Sequence, residues 1–297
     1  MAVEQFRLVS EQLLENEPMN NHTTFKIGGN ADMFVSIRSV QELASLLKLA
    51  KKENVPVTVI GNGSNLLVGD NGIRGLVIEI GSGLADCEID GNIIVAQAGI
   101  LLSRLAAEAA KVNLSGLEEL SGIPGTLGGG IYMNAGAYGG ELKNVIKSVT
   151  YVDDDGEIHT VSGKDCEFGY RKSIFTSGGK YVVSAEIELE NGDEAEIRSK
   201  MAEYKKRRTE KQPLSYPSAG STFKRPEGYF AGGLIEQAGL KGFSIGGAKI
   251  SELHAGFVIN DGGATAADVL AVIEHTKKVV NEKFGVLLEP EVKCIGE

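Results

Sequence analysis

The spacing of apolar and polar positions changes several times along the chain, and each change marks an element. ADMFVSIRS (31–39) reads as a strand. In VQELASLLKLAKKEN (40–54) the apolar positions recur every three to four residues, and Ser39 with Glu42 forms a capping box that opens this amphipathic helix. PVTVIGNGSNLLV (56–68) predicts a strand that enters a glycine turn and leaves as another strand. NIIVAQAG (92–99) and the helix ILLSRLAAEAAKVN (100–113) precede the glycine-rich SGIPGTLGGGIYMNAGAYGG (121–140). IKSVTYVDDDGEIHTV (146–161) predicts a hairpin with Asp155-Gly156 at its turn, and KYVVSAEIELE (180–190) another strand.

A helix from about Asp193, apolar at Ile197, Met201 and Tyr204, ends near Lys211-Gln212-Pro213, where a domain boundary is expected. Beyond it come GYFAGGLIEQAGLKG (228–242) as a helix and HAGFVIN (254–260) as a strand. A capping box at Thr265 and Asp268 opens AADVLAVIEHTKKVVNEKFG (266–285), and VLLEPEVKCIGE (286–297) follows. Helices and short strands mix without regular βαβ alternation, so the fold class expected is α+β.

Composition narrows the chemistry. The 297 residues carry a net charge of −10, which repels nucleic acid and anionic membrane surfaces. No apolar run approaches the roughly 18 to 20 residues of a membrane helix, and the charged start MAVEQFRLVSEQLLENEP is unlike a secretory leader. Cys87, Cys166 and Cys294 are scattered without a CxxC spacing, which fits a reducing compartment, so the expected location is the cytoplasm. His22, His159, His254 and His275 are equally scattered, and no metal site is expected.

GNGSNL (61–66) follows an apolar strand but has Leu66 where a dinucleotide fingerprint needs its third glycine, and no helix follows. Glycine loops still bind phosphate through exposed backbone amides. Two are present, GNGSN and GIPGTLGGG (122–130), and together they fit a ligand with a pyrophosphate. KKRRTEKQ (205–212) is either a solvated helix end or a clamp for a phosphorylated or carboxylated small molecule. YPSAGSTFKRP (216–226) offers hydroxyls framed by small residues, as nucleophile, phosphate ligand, proton donor or turn residue. No GxSxG elbow supports the first.

FKIGGNAD (25–32), GNGSNLLV, SGIPGTLGGGIYMNAGAYG, FGYRKSIF (168–175), SAGSTFKRP and LEPEVKCIG (288–296) together resemble the UDP-N-acetylenolpyruvoylglucosamine reductase (MurB) family over nearly the whole chain. The resemblance implies an FAD-binding part of the p-cresol methylhydroxylase type, made of two α+β subdomains (1–84 and 85–205), and a C-terminal α+β substrate-binding domain (206–297). It implies FAD and NADPH as cofactors, with the enolpyruvyl UDP-sugar and NADPH as partners; nucleic acid and membrane are not expected, and a monomer is the expected state although the sequence does not reveal it. Only about forty residues separate FGYRKSIF from SAGSTF, filled by a strand and a helix, so the resemblance is to the subclass lacking an extra tyrosine-bearing loop.

The implied reaction reduces UDP-N-acetylglucosamine enolpyruvate to UDP-N-acetylmuramate in peptidoglycan precursor synthesis. Hydride passes from flavin N5 to the terminal enolpyruvyl carbon, and Ser221 protonates its neighbour. Charge spreads into the substrate carboxylate, which calls for a fixed cation, and Arg171 is the candidate. Glu291 is the second acid, with Glu289 expected to face the other way. The flavin falls to Gly61, Asn62, Gly63, Ser64, Asn65 and Leu66, to Gly122, Ile123, Pro124, Gly125, Thr126, Gly128 and Gly129, and to Gly136. Tyr138, Arg208, Lys211, Arg225 and His254 are the candidate substrate contacts. The alternatives left by the residues alone are a hydroxy-acid oxidase or dehydrogenase of the same flavin fold, and a non-catalytic nucleotide-binding module.

Overall fold

A computed structural model describes residues 2–297, and the chain divides into two compact units, each built from separated segments. The first comprises residues 2–15, 33–62 and 75–207, and the second 16–32, 63–74 and 208–297.

A four-stranded sheet runs in the order Leu14–Pro18, Asn30–Ser36, Ile73–Glu79, Val57–Ile60, the last two strands parallel. The Val40–Glu53 helix opens on Ser39, whose side chain accepts from the Glu42 amide, and closes on Asn54 in the left-handed conformation. The Glu42 carboxylate reaches the Arg38 amide at 2.7 Å, one residue before the expected partner. Leu43, Leu46, Leu47 and Ala50 bury the stripe that the spacing predicts.

A second, antiparallel sheet follows in the order Ile158–Ser162, Ile146–Asp153, Lys180–Glu188, Ile93–Gln97, Cys87–Asp90. Its Asp-Gly hairpin forms as expected, Gly156 taking φ 69° while Asp153 Oδ1 accepts from the Asp155 and Glu157 amides. The Leu102–Lys111 helix buries Leu102, Leu105, Ala106 and Ala109 in the same core.

The glycine-rich stretch is not a loop throughout. Leu127–Met133 forms a helix capped by Thr126, with Asn134 left-handed at its end. Glycine is normally a weak helix former. Here Gly128 lies so close to Ala98 that a Cβ would stand 2.9 Å from the alanine methyl, so close packing against the neighbouring segment overrides propensity.

The second unit holds the three-stranded antiparallel sheet Ser244–Ile245, Ala248–Ile250, Val258–Asn260 and the helices Ala231–Gln237 and Ala266–Phe284. The full capping box at Thr265 and Asp268 is present, and Gly285 closes the long helix. The shorter helix spans only part of 228–242, since Tyr229 and Phe230 are exposed before it. Lys293–Ile295 pairs in parallel with Leu66–Val68, so the C-terminal segment is stitched to an early one. Among the described residues no helix is long and apolar enough to cross a membrane, and no His, Cys, Asp or Glu cluster could hold a metal ion.

Candidate active site

In the first unit the two glycine loops meet. A Cβ on Gly61 would lie 2.5 Å from Thr126 Oγ1, and Asn62 Nδ2 donates to the Pro124 carbonyl at 2.6 Å. The Leu127 and Gly128 amides donate to the Ile100 and Ala98 carbonyls. Among the described residues, the amides of Gly61, Gly122 and Gly125 donate to no backbone carbonyl. Amides on two abutting loops, beside the Thr126 hydroxyl, are donors of the kind that a pyrophosphate takes. This donor set fits FAD. Gly129 donates weakly to Thr126 Oγ1 at 3.5 Å, and Ile123 packs half-buried on the core.

The GNGSN stretch divides after Asn62, and its remainder belongs to the second unit. There Thr24 donates its amide to the Gly63 carbonyl, Lys293 donates to the Asn65 carbonyl, and Asn65 Nδ2 donates to the Glu291 carbonyl at 3.2 Å. Leu66 pairs with Lys293, and Ser64 is half-buried.

Two tight hairpins carry further candidates in the first unit. Gly136 pairs with Glu141 and Ala137 with Gly140, leaving Tyr138 and Gly139 as the two-residue loop, both at positive φ (53° and 99°). Gly169 and Lys172 exchange backbone hydrogen bonds across Tyr170 and Arg171, and Arg171 has φ 55°. A left-handed conformation costs a residue with a side chain on the order of 1 kcal/mol, and such residues gather at functional sites. Arg171 lies with its guanidinium 5.0 Å from the Tyr170 ring centroid. The Tyr138 ring stacks on Tyr204 at 4.7 Å, and the Tyr204 hydroxyl donates to Glu119 Oε1 at 3.2 Å. Burial, with the Glu119 carboxylate, pushes the Tyr204 hydroxyl pKa up.

Sequence reasoning missed Asn134, which is 1% exposed. Its Nδ2 donates to Glu141 Oε2 at 2.8 Å and to the Gly169 carbonyl at 3.0 Å, while its Oδ1 accepts from the Lys143 amide at 3.0 Å. An Asn directly after the apolar run Ile131-Tyr132-Met133 is a helix C-cap signal, hidden by treating the glycine-rich stretch as loop. The Lys143 ammonium first, helped by Asn134 and the Arg171 charge, holds the Glu141 carboxyl below its usual range.

In the second unit the residues 216–226 are tied to neighbours along their length. Asn260 donates its amide to the Pro217 carbonyl, Thr222 to Gly256, Lys224 to Glu289, and Glu291 to Thr222 at 2.7 Å. Ser218 is half-buried and its carbonyl accepts from Thr24 Oγ1, whereas the buried Thr222 accepts from the Val258 amide. These two are thereby accounted for structurally. Ser221 is exposed, follows Gly220 at φ 75°, and neighbours the residue that anchors Glu291.

Residues two apart share a face in a regular strand. Glu289 and Glu291 nonetheless differ, because Pro290 leaves only an isolated bridge to Phe223. Glu289 is exposed and paired with Lys224 Nζ at 3.0 Å, and Glu291 is half-buried. Arg225 lies 4.0 Å over the Phe230 ring and donates from Nε to the Tyr229 carbonyl. Arg208 and Lys211 close the last turn of the Glu194–Lys211 helix, Arg208 half-buried and Lys211 exposed. His254 Nδ1 accepts from the Gly256 amide at 3.1 Å, which fixes the proton of the neutral ring on Nε2, and burial lowers its pKa.

Residues 31–162 match the model of an FAD binding domain, and residues 212–295 match that of the UDP-N-acetylenolpyruvoylglucosamine reductase C-terminal domain. The chain is 53% identical to the UDP-N-acetylenolpyruvoylglucosamine reductase of Agathobacter rectalis, covering 96% of this chain and 94% of that one. This chain belongs to the UDP-N-acetylenolpyruvoylglucosamine reductase family. The reductase of Clostridioides difficile is 51% identical, over 98% of this chain and 95% of its own. The crystal structure of MurB from Thermus caldophilus superposes with a TM-score of 0.81 at 36% identity, covering 95% of this chain and 97% of that one. Alkyldihydroxyacetonephosphate synthase, at 18% identity and a TM-score of 0.51 over 64% of this chain and 40% of its own, shares the fold alone. The expected class is therefore found in outline: an α+β protein with an FAD-binding part and a C-terminal MurB part. As a MurB-family member, the chain is an FAD-containing oxidoreductase.

Proposed function

We propose that the protein uses NADPH to reduce UDP-N-acetylglucosamine enolpyruvate to UDP-N-acetylmuramate, a step of peptidoglycan precursor synthesis in the cytoplasm. The observation that carries this reading, beside family membership, is the meeting of Gly61 with Thr126 and of Asn62 with Pro124. In this reading residues 1–84 and 85–205 serve the flavin and 206–297 the substrate. FAD, when bound, supplies the hydride, taken from NADPH, that goes to the terminal enolpyruvyl carbon.

The chain's own residues then handle charge and proton. The Arg171 guanidinium grips the substrate carboxylate in bidentate fashion and stabilises the enediolate that forms there. Its left-handed turn supports the role, since a fixed hairpin presents the fork without reorganisation. The exposed Ser221 hydroxyl gives its proton to the carbon next to the one that receives hydride. Serine is a weak acid, but a carbanion-like enediolate is a strong base. Glu291, bonded through its amide to the Thr222 carbonyl, is held next to that hydroxyl's segment and orients the acid or an intervening water. Arg208, Lys211 and Arg225 take the diphosphate and sugar, and Tyr138 and His254 line the substrate, His254 donating from Nε2.

The experiment is anaerobic. Purified protein, yellow with FAD, is bleached by NADPH and recovers its colour on adding the enolpyruvyl UDP-sugar. A protein that stays colourless after incubation with FAD, or a reduced flavin that this substrate does not reoxidise, overturns the proposal.

A further inference from the structure

We infer that Asn134 is a positioning residue for the substrate-facing hairpins, holding the Arg171 turn and the Tyr138 turn in one fixed relation. The inference rests on the roles proposed above for Arg171 and Tyr138. Both turns bear a left-handed residue with a side chain, a conformation that persists only where the surroundings impose it. Asn134 supplies that constraint from one buried amide. Its Nδ2 donates one hydrogen to the Gly169 carbonyl, at the root of the Arg171 turn, and the other to Glu141 Oε2, on the strand leaving the Tyr138 turn. Its Oδ1 accepts from the Lys143 amide two residues on.

No other side chain of similar size does this. A carboxylate in the same place has no hydrogen to give and would face the Gly169 carbonyl and the Glu141 carboxylate with like charge. The backbone of Asn134 is itself left-handed at φ 44°, which Asn and Gly tolerate best. Both hydrogens are thus used, the Oδ1 is used, and the backbone conformation suits the residue.

Two variants separate positioning from folding. Asn134→Gly keeps the left-handed backbone and removes all three side-chain hydrogen bonds. Asn134→Asp keeps the acceptor to Lys143 and removes both donors, and adding Glu141→Gln returns a hydrogen to the carboxylate arm but not to Gly169. Flavin reduction by NADPH and flavin reoxidation by the enolpyruvyl UDP-sugar are followed separately by stopped flow, with the melting temperature of each holoenzyme.

Reduction should stay within about twofold of wild type in Asn134→Gly, while reoxidation at saturating substrate falls by about 10- to 100-fold, the loss expected for misplacement of the order of 1 Å. In Asn134→Asp with Glu141→Gln the melting temperature should recover relative to Asn134→Asp alone, while reoxidation stays slow. Reoxidation that recovers together with the melting temperature, or that is unaffected in Asn134→Gly, overturns the inference. Arg171→Ala serves as the control. If it leaves reoxidation intact, the functional reading fails and this inference with it. If it slows reoxidation while Asn134→Gly does not, only the inference fails.

Discussion

Replacing Gly61 by alanine tests the flavin cradle through a single methyl. The added Cβ would stand 2.5 Å from Thr126 Oγ1, about 0.9 Å short of the 3.4 Å at which ordinary contact begins. Gly61 is not among the positive-φ residues, so no left-handed strain opposes alanine and the clash with Thr126 is the effect tested. Thr126 cannot easily yield, because it is 3% exposed and its hydroxyl caps the Leu127–Met133 helix. A shift approaching 1 Å exceeds the roughly 0.5 Å tolerance of a hydrogen bond. It would remove one hydrogen bond to a charged phosphate, worth about 1.5–3 kcal/mol, or about 10- to 100-fold in FAD affinity. Stability changes less, since overpacking costs about 1–3 kcal/mol and the lost glycine freedom returns about 0.4–1 kcal/mol. FAD titration of the deflavinated protein measures the affinity. Adding Thr126→Ala leaves Thr126 Cβ, at 3.7 Å, as the nearest threonine atom and should bring affinity back to that of Thr126→Ala alone, whereas Thr126→Ser keeps the oxygen and should not. Wild-type affinity in Gly61→Ala, or no recovery in the double variant, would refute the reasoning.

Thr265→Ala removes the acceptor of the Asp268 amide at 3.1 Å and should cost about 1 kcal/mol in denaturant unfolding of the holoenzyme, with flavin reduction by NADPH unchanged. The buried Glu118 accepts from Ser115 Oγ and the Gly116 amide, both at 2.7 Å. Burial pushes its carboxyl up, but these hydrogen bonds outweigh it and hold the group below its ordinary 4.5. Because the folded value is the lower one, the contribution is complete above about pH 4.5 and is lost as pH falls through the folded value. The stability gap between wild type and Glu118→Gln should therefore narrow when unfolding is measured at pH 4 rather than pH 7, and a gap that widens would contradict the assignment.

Features set by neighbouring residues were legible in the sequence. Ser39 and Thr265 announced their helices, and Asp155-Gly156 its hairpin, because a cap or a tight turn depends on local chemistry. The meeting of the two glycine loops was anticipated only as a shared ligand, whereas their contact through Gly61 and Thr126 joins positions far apart in the chain. The Leu127–Met133 helix was hidden for the same reason, since Gly128 is favoured by packing against Ala98 and Gly130 by the approach of Leu142 rather than by propensity. Asn134 illustrates the limit most clearly. Its identity as a cap was within reach, but its bond to Gly169 spans 35 positions and follows from the fold alone.

The proton donor is the central claim, and one anaerobic stopped-flow comparison tests it most directly. Wild type and Ser221→Ala are each reduced with NADPH and then mixed with the enolpyruvyl UDP-sugar while flavin absorbance is followed. The account predicts that Ser221→Ala is reduced at close to the wild-type rate and loses about 10²- to 10⁴-fold in product formation after mixing with substrate, the range for a positioned general acid. Wild-type turnover of the enolpyruvyl substrate in Ser221→Ala would contradict it.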